Sequence, residues 1–304
     1  MDPLITIITP SYNRSRLITH AIESVLAQNY PHIEHIVVDG GSTDSTSELL
    51  MKYPHIRFYT GPDQGMYDAL NKGIALATGE IIGFLNTDDL YEKNIFPEVA
   101  RRFGDASIMA VAGRAVVFEG LPGQEALVVE EYFPDKNSLL EDSTIGSNYF
   151  NAWFFHRYVF EKIGTFNIAY GIIGDRDFML RFALGNLNYV TINSVTYKYY
   201  QHAGSLTFDK GNQKIEQSLL EHLEMTDFCL RNLALSRRER NLITRLRTRN
   251  SVELAVRSLW KLKIKDFVFY CMDGARRDIT WIPEILKFVF RNILKLASKF
   301  KGQS

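Results

Sequence analysis

Over the first hundred residues, runs of consecutive apolar residues alternate with stretches in which apolar positions return every three or four residues. The first pattern predicts buried strands and the second amphipathic helices. Strands are predicted at residues 4–9, 33–39, 56–60 and 80–85, and helices at 16–28, through 48–53 and at 66–77. The first helix carries Ile18, Ala21, Ile22, Val25 and Leu26 on one face, and Gly79 reads as a C-cap signal for the third. Further on the pattern loosens. Helices are predicted at 91–103, 157–163 and 175–184, strands at 109–118, 126–133 and 189–200, and a polar loop at 135–147. From about residue 211 onward the periodicity is mostly helical.

This alternation predicts an α/β fold: a mixed, mostly parallel sheet flanked by helices, followed by a C-terminal helical extension. Ligands of such sheets gather outside the carboxyl ends of the strands. Three polar clusters fall at predicted strand ends and should share one rim: Thr9-Pro10-Ser11-Tyr12-Asn13, Asp39-Gly40-Gly41-Ser42 and Asn86-Thr87-Asp88-Asp89.

Composition narrows the setting. With 304 residues, 46% of them hydrophobic, the chain can bury a sizeable core as one large domain or as one domain plus an appendage. Two cysteines, Cys229 and Cys271, make no disulfide framework and suit a reducing compartment. No signal peptide is expected from MDPLITIITP, and no apolar run is long enough to predict a membrane span. The net charge of zero hides a split. Residues 1–230 hold 17 Lys and Arg against 29 Asp and Glu, a net of −12, and residues 231–304 hold 18 against 6, a net of +12. Such asymmetry points to different partners for the two parts: metal ions or cations for the acidic body, phosphates for the basic end.

Each strand-end cluster has a ligand reading and a plainer one. In VVDGGSTDST, Gly40 and Gly41 permit close backbone approach to a ligand, and Asp39 can accept from a base or ribose. The same residues also make a tight turn, with Asp44 or Ser42 as an N-cap. Neither dinucleotide fingerprint is present. Asp88 and Asp89 follow a run as apolar as IIGFL, and paired carboxylates repel unless a cation sits near them. Mg²⁺ or Mn²⁺ would bridge such acids to phosphate oxygens, whereas helix capping would need only one acid. In GPDQGMYDALNKG, residues 61–73, Asp63 and the backbone N–H groups at a helix start can face an anion. Alternatively Asp68, Asn71 and Lys72 only coat a solvated helix face.

In this order, TIITPSYNR, VVDGGSTDST, GPDQGMYDALNKGI, ATGEIIGFLNTDD and GDRDFMLR resemble the family 2 glycosyltransferases of the GT-A nucleotide-sugar fold, over roughly residues 4–205. The resemblance implies a catalytic domain over 1–210, with a nucleotide-sugar half at about 1–105 and an acceptor half at about 106–210, and a basic helical region over 211–304. It implies that Thr9, Pro10, Ser11, Tyr12 and Asn13 help form the nucleoside pocket, with Asp39 holding uracil or ribose beside Gly40 and Gly41. Asp63, Gly65, Met66, Asn71, Lys72, Asn86 and Thr87 join the donor side. The family's metal motif is commonly Asp-x-Asp-Asp. Here Asn86 opens it, which shifts metal duty to Asp88, with Asp89. His202 falls where some relatives place another ligand or a phosphate contact, although a lone histidine is more often structural. The acceptor-side motif is often Glu-Asp-x-Asp. Gly174 replaces the Glu, Asp175 matches the catalytic base, and Asp177 serves helix packing with Arg181 one turn on.

The function so implied is an inverting, metal-dependent transfer of a single sugar from a nucleotide-diphosphate sugar to a hydroxyl of a glycan or lipid-linked precursor in surface polysaccharide synthesis. A UDP-hexose or UDP-N-acetylhexosamine is the expected donor, with GDP- and dTDP-sugars left open. Processive synthases do not fit, because membrane helices and a Gln-x-x-Arg-Trp motif are missing. Two alternatives stand beside this reading: a catalytically silent nucleotide-sugar binding protein and a sugar-nucleotide pyrophosphorylase. Finally, residues 281–301 place Lys287, Arg291, Lys295 and Lys299 every four positions. Trp281 and an apolar face of Ile282, Ile285, Leu286, Val289, Ile293, Leu296 and Phe300 accompany them. That pattern predicts a cationic helix lying on an anionic membrane, with the enzyme cytoplasmic on the inner face of the cell membrane. The alternative is a helix docked on the catalytic domain. Nucleic acid is not an expected partner, since the tail's aromatics follow a helical apolar face.

Overall fold

The apolar runs of the first half become four parallel strands: β1 (Ile5–Ser11), β2 (Ile33–Asp39), β3 (Ile56–Thr60) and β4 (Ile81–Phe84). The computed structural model describes residues 2–124, 127–147, 149–202, 212–277 and Pro283. Between the strands run α1 (Ile18–Leu26), α2 (Thr46–Leu50) and α3 (Met66–Leu76). α1 buries Ile18, Ala21, Ile22 and Val25, whereas Leu26, expected on that face, is 51% exposed at the helix end. Gly79 does not cap α3; Ala77 does. A Cβ at Gly79 would lie 2.6 Å from the Leu4 carbonyl oxygen, so this glycine lets the chain pass tightly beside β1.

The second half completes the sheet. It comprises β5 (Leu90–Tyr91), α4 (Phe96–Arg102), β6 (Ala110–Glu119), β7 (Leu127–Tyr132), α5 (Leu139–Thr144), β8 (Trp153–His156), α6 (Tyr158–Ile163), α7 (Gly174–Leu184) and β9 (Tyr189–Gln201). The sheet runs β3-β2-β1-β4-β8-β6-β9-β5, with β7 added to β6. β8 is antiparallel to both β4 and β6, and so joins the parallel half to the rest. The expected fold class, a mixed sheet flanked by helices with helices at the C-terminal end, is the one observed. Two element expectations fail. Residues 90–91 pair with β9 instead of opening a helix, and α5 occupies the expected loop at 135–147.

Side-chain alternation splits each central strand between two cores. Ile8, Ile82, Phe84, Trp153 and Phe155 join one cluster with Tyr67 and Leu70 of α3 and Phe178 and Phe182 of α7. Ile5, Ile7, Ile81 and Phe154 join the other with Tyr91, Phe96 and Tyr197. Strands buried on both faces read as continuous apolar runs, the pattern that marked them in the sequence.

The chain divides into two compact units, residues 1–209 and 210–304. In the second, α8 (Asn212–Asn232), α9 (Arg237–Trp260) and α10 (Ile264–Arg277) are described. Ser236 starts α9 with a capping box: its hydroxyl accepts from the Glu239 N–H, and the Glu239 carboxylate accepts from the Ser236 N–H. Between the helices, buried Arg247 donates to Asp227 and Asp273, each at 2.6 Å. No helix among the described residues is long and apolar enough to cross a membrane. The cationic helix expected over 281–301 lies outside the described residues, apart from Pro283.

Candidate functional site

The register of the parallel strands sets Ser11 beside Asp39 and Asp39 beside Thr60, so three strand ends finish in line. The two loops that follow are stitched together by Asn13. Its carboxamide oxygen accepts from the Thr43 N–H at 2.8 Å, and its own N–H donates to the Ser42 hydroxyl at 2.7 Å. Asn13 tolerates the left-handed backbone (φ 53°) that turns the chain there. Asn13 is thus a structural tie. Tyr12 beside it stands 57% exposed, an aromatic ring on the open rim.

Asp39 is fully buried and caps its own loop. Oδ2 accepts from the Ser42 N–H at 2.8 Å and the Thr60 hydroxyl at 3.2 Å, and Oδ1 accepts from the Ser42 hydroxyl at 2.5 Å. The loop therefore takes up most of its accepting capacity, as the tight-turn reading requires. Asp63 approaches from the next loop, where its Oδ2 occupies space that a Cβ on Gly40 would enter at 2.4 Å. Thr9, expected in the nucleoside pocket, is fully buried. Its hydroxyl meets the buried His35 ring at 2.9 Å, and burial pushes that imidazole down to about 3, keeping it neutral.

The α3 residues named for the donor side divide in the same way. Asn71 clamps the backbone of Phe166 through both ends of its carboxamide, each at 2.9 Å, and so joins two segments. Lys72 donates to the Pro62 carbonyl at 2.9 Å and pairs with Asp68 at 3.0 Å, holding the 61–65 loop onto its own helix. Gly65 opens α3 with φ 111°, a conformation that favours glycine, and donates its N–H to Asp63. Met66 packs half-buried against the core.

After β4, the two adjacent acids part company. Asp89 is 3% exposed and accepts from the Tyr197 hydroxyl (2.9 Å), the Asn86 carboxamide (3.1 Å) and the Tyr200 N–H (2.8 Å). Burial, and then the charge of Asp88, push its carboxyl well above the usual carboxylate range. Asp89 therefore ties the loop to β9. Thr87 is likewise buried. Asp88 is half-buried at the rim, with Oδ2 3.1 Å from Nε2 of His202, just past β9. No group of three or more potential ligands is assembled among the described residues. A carboxylate and an imidazole at this spacing have the donor types to hold one divalent cation between them.

Asp175 sits at the N-terminus of α7, where Oδ1 accepts from the Arg176 N–H at 2.8 Å and the Tyr67 hydroxyl at 3.1 Å. Burial raises its carboxyl. The Arg176 charge and these two hydrogen bonds return only part of the shift. Arg176 itself donates to carbonyls of Thr144 and Gly146 at the end of α5. Asp177 turns away and pairs with Arg181 at 2.8 Å, and Arg181 in turn holds the carbonyls of Ile163, Gly164 and Thr165. Gly174 is needed sterically: a Cβ there would lie 2.8 Å from the Tyr67 ring. Tyr67 was not singled out in the sequence. Its only signal is an aromatic hydroxyl on the buried stripe it shares with Leu70 and Gly73.

Known proteins resemble this chain in sequence and in fold. Residues 6–164, just over half of the chain, match the profile described as Glycosyl transferase family 2. The PGL/p-HBAD biosynthesis glycosyltransferase of Mycobacterium bovis is 29% identical over 231 residues, 74% of this chain and 85% of that one. An uncharacterized glycosyltransferase of Mycobacterium tuberculosis is 32% identical over 192 residues, 60% and 70% of the two chains. Among solved structures, S. aureus TarS 1–349 in complex with UDP-GlcNAc superposes with a TM-score of 0.66 at 17% identity, covering 89% of this chain and 80% of that one. The mannosyltransferase PcManGT from Pyrobaculum calidifontis, in complex with GDP-Man and Mn²⁺, gives 0.60 at 17% identity, covering 100% and 83%. Because that profile covers more than half of its residues, and its sheet is of the GT-A type seen in these structures, the chain belongs to glycosyl transferase family 2.

Proposed function

We propose that this glycosyltransferase moves a single sugar, with inversion, from a nucleoside-diphosphate sugar to a hydroxyl of a glycan or lipid-linked acceptor. A UDP-hexose or UDP-N-acetylhexosamine is the proposed donor. The observation that carries the reading is Asp175, a carboxyl raised by burial and held by Tyr67 on the helix that follows the donor loop. Its raised affinity for a proton suits a general base. As the acceptor oxygen bonds to the anomeric carbon, its proton passes to Asp175. The bond from that carbon to the diphosphate oxygen breaks on the opposite face, and its electron pair leaves with the nucleoside diphosphate. Asp88 and His202 would hold a divalent cation, Mn²⁺ or Mg²⁺, which supplies charge neutralisation on the departing diphosphate. Tyr12, exposed on the rim, would stack on the base, with Ser11, Gly40, Gly41 and Asp63 around the nucleotide. TarS with UDP-GlcNAc supports a uridine donor, and PcManGT with GDP-Man keeps guanosine as the alternative. The cationic, apolar-patterned segment at residues 281–301 would hold the enzyme at an anionic membrane beside a lipid-linked acceptor.

Thermal shift against a panel of nucleotide sugars, with and without Mn²⁺, tests the donor. UDP-sugars should raise the melting temperature more than GDP- or dTDP-sugars, and more with Mn²⁺ than without. A larger shift with GDP-mannose would overturn the uridine assignment.

A further inference from the structure

The turn between α9 and α10 closes with the Lys263 N–H on the Ser258 carbonyl (2.8 Å) and the Leu262 N–H on the Leu259 carbonyl (3.0 Å). These are the two bonds of a Schellman ending, whose left-handed position glycine or asparagine normally fills. Here that position is Leu262, at φ 56° and 81% exposed. Its side chain therefore adds steric cost to the turn while contributing little burial to the fold. Trp260, 62% exposed, stands beside it.

The exposure continues along α10. Phe267, Tyr270 and Cys271 face Val252 and Ala255 of α9, which accounts for one side of the helix. At about 100° per residue, Ile264, Val268, Phe269 and Met272 fall on another side, and all four are exposed. A helix apolar on two sides is built to be covered on both. The charges around the outer side are informative. Lys265 and Arg276 fall within its arc, and both are exposed. Asp273 points elsewhere, to Arg247, and Asp266 projects from a third side of the helix. Lys261 and Lys263 flank the turn and pair with Glu216.

We propose that this surface, the turn at 259–263 with the outer side of α10, is a lipid-bilayer contact that lays Leu262, Trp260 and Phe269 into the interface of an anionic leaflet. Charge selects the occupant. A second copy docking symmetrically would set Lys265 and Arg276 against their own counterparts. The chain's residues 281–301 would bring Lys287, Arg291, Lys295 and Lys299 against them. Anionic phospholipid headgroups meet these cations with opposite charge, and the interfacial region accepts the aromatic and aliphatic side chains. The proposal is independent of the sugar-transfer reading and of the tail at 281–301.

The test is co-sedimentation of the full chain with vesicles of phosphatidylcholine containing roughly one phosphatidylglycerol in three lipids. The double variant Leu262→Asn/Phe269→Ser should partition about tenfold more weakly or worse. Its melting temperature should be equal or higher, because asparagine accepts the left-handed backbone. Lys265→Glu/Arg276→Glu should weaken binding at low salt and reduce its salt dependence. Wild-type indifference to these vesicles overturns the proposal, as does unchanged binding by the Leu262→Asn/Phe269→Ser variant. A wild-type dimer in sedimentation velocity that this variant converts to monomer also overturns it, in favour of a second copy.

Discussion

Asp88 and Asp89 are identical side chains one residue apart, and the fold gives them opposite environments. Asp89 is enclosed by Tyr197, Tyr200 and Asn86, whereas Asp88 meets His202 at the rim. Asp88→Ala should therefore leave the melting temperature nearly unchanged and remove Mn²⁺-dependent donor binding, read by titration calorimetry. Asp89→Ala strands buried donors and should cost about 1–3 kcal/mol for each one left unsatisfied. The pH dependence separates the two further. A carboxyl raised in the folded state contributes stability below its unfolded value and loses it as pH rises through the folded value. The Asp89→Ala penalty in urea melts should thus be larger in acid and shrink with rising pH. None of this was legible in the dipeptide, because the partners that distinguish the acids lie over 100 residues away on β9. The same holds for Thr9 and Asn71, whose partners at His35 and Phe166 lie on other segments of the chain.

The contact between α3 and the start of α7 is the element-scale feature on which the acceptor chemistry depends. The Tyr67 hydroxyl bond to Asp175 lowers that carboxyl from the higher value burial alone would give. Removing it in Tyr67→Phe should move the acid limb of the kcat/KM profile to higher pH, with donor affinity little changed. An unmoved limb would mean that Tyr67 only packs. Long elements bounded by clear signals were legible, as β1 to β4 and α3 illustrate, because burial on both faces or one amphipathic stripe wrote a pattern into many residues. Short ones were not. β8 is only four residues long, WFFH, with Trp153, Phe154 and Phe155 buried in succession and no alternation to mark it, and the polar sequence of α5, LLEDST, reads equally well as loop. Two-residue β5 exists only because β9 offers it hydrogen bonds.

At the scale of the molecule, the acidic and basic halves of the sequence correspond approximately to the two compact units at 1–209 and 210–304. The second is joined internally by Arg247, a buried cation between two acids. Arg247→Ala removes the cation that Asp227 and Asp273 share, leaving Arg231 beside Asp227, and should destabilise the helices around it by about 3 kcal/mol. Hydrogen exchange would show this as lost protection across α8, α9 and α10, and unchanged protection would refute it. The donor-side rim belongs to the first unit, and the central claim about it is that Asp175 moves the proton. Nucleoside-diphosphate release by Asp175→Asn, measured beside its donor affinity, tests that claim most directly. The account predicts donor binding equal to wild type with turnover lower by roughly 100-fold or more. Turnover near the wild-type rate would contradict it and place the base elsewhere.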